Sequence, residues 1–579
     1  MHHCLSLHEI LDLLFSGIRR GWLRESIEDH SPKHTLANLA RICHTWSDIA
    51  LDHLWYGIDG IEPLVKCMPP DLWKRDGPIM MSFIRPITMS DLEILTKYAR
   101  RVRVLRPSMP SSRAHISVYQ ALSAVSSDNC LLPNLRQLVW EVADAEEFGF
   151  IRLFLSPELD SLTLRLFESQ HDQIDLLSKI PTTFTPNISS LQISYGLGDL
   201  GCDPLGLSSV VLNWSQLADL QIPDITPYGL RTLAQMPNLQ CLSFTALASL
   251  WTPLSQEEVR NQAFGADESI TTPFPSMTRL ELTTWVLGVE PITKLLRFIS
   301  RNKLDTLFVS VGSDVGDTLE SMEEFSRTVA QTCDAALLKH FQFRHYLLTA
   351  TVSKLISPLL VLHSLESVSL GGSYQPISIS EHDASEIANS WPNLQEFFTQ
   401  STTLDVDPAD ISTNLLSLIP FTRCTKLRIL SLTLNASDKI ARQSIRSNPN
   451  IYLHARNTSL KILHVESSPI SHKEVVASFL SALFPNLEHI SFEGEDKDFG
   501  RRWRAVGEVL LPMLSRSRAV ELSRVGKSPA AQLTVEKPGP RTMRWISDSI
   551  EAQDGEWSDE EEIEQMHRQL LRKYYMFSS

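Results

Sequence analysis

LPNLRQLVW (Leu132–Trp140), MPNLQCLSF (Met236–Phe244), WPNLQEFFT (Trp391–Thr399) and FPNLEHISF (Phe484–Phe492) are four copies of one phrase. Each opens on Pro-Asn and a framing leucine, followed by a short alternation with the period of a strand. SPELDSLTL (Ser156–Leu164), FPSMTRLEL (Phe274–Leu282) and CTKLRILSL (Cys424–Leu432) are looser copies. The framing residue recurs from Val102 to Leu487 at intervals of 22 to 38 residues. Between phrases the period becomes helical. Ile292, Leu295, Leu296 and Ile299 fall at i, i+3, i+4 and i+7, as do Val476, Phe479, Leu480 and Leu483. Thr226-Pro227 reads as a helix start, and Ser471 with Glu474 as a capping box. Each unit is therefore strand, turn, helix, turn, and cannot bury its apolar face alone.

A period of about 30 residues with a short strand in each unit marks a leucine-rich-repeat solenoid. The expected fold class is an α/β solenoid, an irregular horseshoe with parallel strands on the concave face and helices outside. The array is expected over 95–500, with loops at 245–275 and 310–335. Residues 501–579 leave the repeat pattern. A Pro-rich linker spans Ser528–Pro540, and a helix begins at Ser558, whose acidic first turn makes that serine a candidate phosphosite.

Composition narrows the function. A net charge of −15 argues against a nucleic-acid surface, which needs clustered Lys and Arg. No membrane span or secretory leader is expected, and the eight cysteines, never closer than 24 residues, fit a cytoplasmic or nuclear protein without a zinc site. Gly196, Gly198 and Gly201 match a dinucleotide-binding phrase, but Cys202-Asp203-Pro204 is a poor helix start to follow it. No cofactor is expected, and nothing in the sequence marks an enzyme.

The first 58 residues are of another kind. LSLHEILDLLFSGI (Leu5–Ile18) and TLANLARICHTWSDIALDHLWYGI (Thr35–Ile58) are apolar and helical, with a charged insert at 17–34 read as a loop. A linker or capping segment at 59–94 joins them to the array. The order Leu7-x-Glu9-Ile10-Leu11, Leu36-x-x-Leu39-x-x-Ile42-Cys43-x-x-Trp46, Leu51-x-x-Leu54-Trp55 resembles an F-box. With the repeats behind it, the chain resembles the F-box proteins of mushroom-forming fungi.

That resemblance implies a substrate-recognition subunit of a Skp–cullin–F-box ubiquitin ligase. A Skp-type adaptor, carried on a cullin ligase core, would bind Leu7, His8, Ile10, Leu11, Leu39, Ile42, Cys43, Trp46 and Trp55. The repeats would hold an unknown protein substrate. On the strand face small polar residues prevail, such as Ser161, Thr163, Ser431 and Thr433. Arg165, Arg279, Glu281, Phe308, Arg344, Phe398, Glu466 and Glu493 stand out as candidate contacts, because aromatic and Arg side chains dominate binding energy. The alternative is a leucine-rich-repeat scaffold that joins no ligase.

Overall fold

The computed structural model describes residues 8–508, apart from 25–30, 77–79, 108–112, 126–129, 143–147, 167–186, 196–203, 212–213, 246–272, 285–287, 300–302, 313–316, 346–351, 373–376, 402–410, 440–454 and 493–498. The chain divides into units at Met1–Leu514 and Ser515–Ser579, and no residue of the second is described. Leu7, Glu493, Gly196–Gly201, the proline-rich linker and Ser558 thus lie outside the described residues.

The first unit is built on one sheet of 15 strands, running from Gly57–Asp59 to His489–Ser491 in chain order. Every neighbouring pair is parallel, so each connection crosses back over the sheet. The unit is therefore an α/β repeat array of solenoid type. A second sheet of three strands, Trp73–Asp76, Met80–Phe83 and Arg113–Ala114, is inserted near its start.

Register follows the phrase. Leu138 pairs with Leu105 and Leu162, and the stack continues through Leu191, Leu220, Leu242, Leu280 and Leu307 to Phe341, Val368, Phe397, Leu430 and Leu463. All are buried. The framing residues form a second buried row, among them Leu135, Leu239, Leu394 and Leu487. A one-residue slip would turn a whole row into water, which fixes the register.

The Pro-Asn pair has its own physical reason. In several units the side chain just before a framing residue donates to a turn carbonyl of the preceding unit, whereas Asn238 Nδ2 donates to Gln216 Oε1 at 3.0 Å and Asn393 Oδ1 accepts from Lys426 Nζ at 2.8 Å. Asn134 Nδ2 reaches Arg100 O at 2.7 Å, Asn187 Nδ2 reaches Pro157 O at 3.0 Å and Asn486 Nδ2 reaches Thr458 O at 2.7 Å. Ser276 and Ser459 place a hydroxyl on Pro237 O and Thr425 O in the same way. These bonds satisfy main-chain acceptors at the turns.

The structure differs from the sequence reading in several places. The described parts of the insert 17–34, residues 17–24 and 31–34, are helical. The first helix, α1, runs His8–Arg24, and the second, α2, starts at Ser31. The helical period simply continues past Gly17 through the half-buried Ile18. The expected loop at 310–335 holds a helix, Leu319–Thr332, with a capping box at Thr318. Met322, Phe325 and Val329 give it a buried stripe, beneath an outer face of Glu320, Glu323, Glu324 and Arg327. The sheet opens at Gly57, so part of the 59–94 linker belongs to the array's core. At the other end residues 499–508 are helical, and Trp503 is buried with its indole N–H on Ser468 O at 2.8 Å. The capping box at Ser471 does not form. The helix there is Lys473–Leu483 with His472 at its cap, which puts Glu474 one position too early.

One carboxylate ties three units together. Asp317 accepts the Val289 N–H at 3.0 Å and the His345 Nε2 contact at 2.9 Å, and lies against Gly288. It thereby caps the helix Val289–Phe298 from the next unit. Asp317→Ala should lower stability by about 1–3 kcal/mol, because it removes one acceptor shared by a buried imidazole and a helix-terminal N–H. Gly288→Ala should destabilise too, since the added methyl collides with the carboxylate. Urea unfolding of the two variants checks both.

Candidate functional site

The N-terminal module consists of α1, α2 (Ser31–Leu39) and a third helix, α3 (His44–Leu54). Leu11, Phe15, Leu36, Ile49 and Ala50 form its own core, separate from that of the array. Leu11, Phe15 and Ile18 repeat at i, i+4 and i+7 and turn one side of α1 inward. Trp46 closes on the Phe15 ring in an edge-on contact.

The structure sorts the expected adaptor residues. Leu11 is fully buried and can only support the fold. Trp55 faces the array, packs on its core and lies tilted on Tyr98 with centroids 4.9 Å apart. It joins the module to the repeats and is half-buried there. Leu39 and Trp46 are half-buried around the module core. Ile10 and Cys43 are half-exposed, His8 is exposed, and Ile42 is 55% exposed in the turn between α2 and α3.

Sequence reasoning missed two exposed leucines of the module. Leu13 and Leu14 are 68% and 50% exposed on α1. The signal was present in Leu11, Leu13, Leu14 and Phe15, which span more of the helix circumference than one buried face. Exposed leucines in a set call for an explanation.

Among the described residues, several contacts hold the module against the array. Arg101 pairs with Asp48 at 3.0 Å and with Asp52. Asp59 receives both Lys33 and Arg106. The Arg19 guanidinium lies 3.6 Å from the Tyr56 ring centroid. The Trp55–Tyr98 contact is another.

The second surface is the face of the sheet that alternates with the buried rows. Arg165, Arg279, Glu281, Phe308, Arg344 and Phe398 all project from it, and Glu466 sits just beyond the strand Ile462–His464. Several are tied to neighbours. Arg165 lies 3.6 Å from Glu141, and Arg279 donates to Glu281 at 2.8 Å. The same Arg279 stands over the Phe308 ring at 5.2 Å. Phe398 and His464 lean together across Ser431, leaving that serine 3% exposed. Thr433, bonded to Glu466, is also buried. Ser431 and Thr433 are thus not part of an open polar floor, and the two rings are half-covered rather than bare. The backbone of Gly371 leaves room for the Arg344 side chain, whose Cγ would come within 3.0 Å of an added Cβ.

Titratable groups favour structure over chemistry. Burial pushes the Cys130 thiol up to about 11, and those of Cys333 and Cys424 up to about 12, which makes them poor nucleophiles. Burial holds His464 below its ordinary value, helped by His489. His382, Asp383 and Glu386 come together on one helix, yet Asp383 already completes the capping box with Ser380, accepting from Ser380 N at 3.0 Å and Oγ at 2.6 Å. No helix among the described residues is long and apolar enough to cross a membrane.

His53 gives a pH test of the module. Burial, aided by Arg19, lowers its pKa, while Asp12, 3.0 Å from Nε2, and Asp52 oppose the shift. As pH falls the unfolded chain takes the proton first. The contribution is intact above the unfolded value of about 6.5 and is lost as pH drops below it. Protection of the α1–α3 amides, taken relative to their intrinsic exchange rates, should therefore fall as pH drops below about 6.5, and His53→Gln should flatten that dependence.

No family model matches the chain, and no curated protein does. Among solved structures 41 chains match. One belongs to the crystal structure of the Rad7 and Elc1 complex in yeast, at 13% identity, a TM-score of 0.35, and coverage of 65% of this chain and 82% of that one. A likeness of that size carries no argument about what this protein binds.

Proposed function

We propose that the chain is an F-box protein with leucine-rich repeats, the substrate-recognition subunit of a Skp–cullin ubiquitin ligase. The observation that carries this reading is the N-terminal module: three helices with their own small core, exposing Leu13, Leu14 and Ile42 while fastened to the array. Exposed apolar side chains on so small a module fit a protein partner better than solvent. The motif resemblance supplies the partner, a Skp-type adaptor bound to a cullin. The repeat face, with Phe308, Arg344 and Phe398, would hold the substrate, and the chain itself would perform no chemistry. Its contribution is to raise the local concentration of substrate near the transfer machinery. A cytoplasmic or nuclear setting follows from this role.

Purification of the tagged chain from cells tests the reading. An adaptor and a cullin should accompany it in stoichiometric amounts. If partners accompany it but neither of these is among them, the chain is a scaffold outside any ligase, and the module merely covers the first strand.

A further inference from the structure

The chain leaves α3 and enters the array within two residues. The Trp55 N–H still closes α3 on Leu51 O at 2.9 Å, while Tyr56 O already accepts the N–H groups of Arg103 and Val104 at 2.8 and 2.9 Å. The two cores are separate, and among the described apolar residues of 8–55 only Trp55 packs on that of the array. A short junction between two separately packed bodies can act as a hinge, since a few element-terminal residues absorb the change in φ and ψ. The Trp55 ring, tilted on Tyr98, marks the pivot.

Away from that pivot the pose is held mainly by charge. Arg101, just past the helix Met89–Ala99, grips α3 at two acids one turn apart. Its guanidinium meets Asp48 Oδ1 at 3.0 Å and the Asp48 carbonyl at 3.1 Å, and pairs with Asp52. Asp59, on the array side, takes Lys33 of α2 at 3.2 Å. The side chains of Asp48 and Asp52 are 82% and 60% exposed, so salt reaches both pairs. Exposed pairs are individually weak and are screened by ions. A pose held in this way can open without unfolding either body.

We propose that the module swings on the array at Trp55 and that Arg101 is the positioning residue that latches it, so that the orientation of the two bodies answers to ionic strength. What the latch regulates rests on the adaptor reading. It fixes where the repeat face stands relative to the adaptor, and opening it alters delivery of a captured substrate without altering capture of either partner.

The test uses the full chain with spin-labelled non-natural residues in place of Arg41 and Glu158, both exposed, one on each body. Electron–electron distance measurements should give a narrow distribution at about 0.01 M salt and one at least about twofold wider at about 1 M, where the screening length falls from ~30 Å to ~3 Å. Arg101→Ala should be wide at both, with the melting temperature and the adaptor Kd nearly unchanged. Asp48→Asn/Asp52→Asn breaks the same latch from its exposed side and should behave alike; should Arg101→Ala melt early, this variant decides. If both variants stay narrow, or the parent stays narrow at high salt, other contacts fix the pose and the inference fails. A parent already wide at low salt overturns it too. A parent that binds no adaptor sinks the adaptor reading, while the distances still decide the latch.

Discussion

Leu430→Ala should cost the first unit about 2–5 kcal/mol. Leu430 is fully buried, between Phe397 on one strand and Leu463 on the next. The truncation removes side-chain atoms from a row that cannot shift to fill the gap, because each neighbour is held in register by its own strand. The effect should be local at first, since a unit in such an array contacts mainly the units beside it. Hydrogen exchange should quicken from Leu394 to Leu463 before it changes at Leu138 or Leu162. Uniform loosening of the whole sheet would mean that the rows are not stacked as independent units.

Replacing Leu13 and Leu14 together by Asp should abolish adaptor capture. Each leucine contributes about 1.5–3 kcal/mol when fully covered. Losing both, and placing charge in their stead, should weaken binding by at least about a hundredfold to ten-thousandfold. Both residues are exposed in the free chain, so the melting temperature should hardly move. Leu11→Ala makes the contrast. Leu11 belongs to the module core, so its truncation should lower capture only by loosening the helices, with a matching fall in stability. Purified adaptor and two variants separate contact from support.

The array was legible in the sequence because its determinants recur. A framing residue such as Leu135 or Leu394 has one task, burial at the start of a strand, and a mismatch in one unit is corrected by the next. The helix Leu319–Thr332 was not legible because its charged outer face outnumbers its buried stripe. The role of Asn134 and Asn486 was visible as a pattern but not as a cause, since the acceptor carbonyls belong to the preceding unit. The candidate site was read less well. Motif matching marked apolar residues without saying which way they face. Trp55 turned toward Tyr98 and Leu11 toward Phe15's core, while Leu13 and Leu14 were left on the surface. On the sheet face alternation placed Arg165, Phe308 and Phe398 on the right side. It could not foresee that Arg279 and His464 would lean over the two rings, because those contacts join different strands.

The most direct test of the account is one capture experiment with three proteins: the parent, the Leu13→Asp/Leu14→Asp variant, and a Phe308→Ala/Arg344→Ala/Phe398→Ala variant. Adaptor and cullin are scored separately from all other captured proteins. The account predicts that the first variant loses adaptor and cullin and keeps the rest, and that the second keeps adaptor and cullin and loses the rest. A parent that brings down neither adaptor nor cullin, or two variants that lose the same partners, would contradict it.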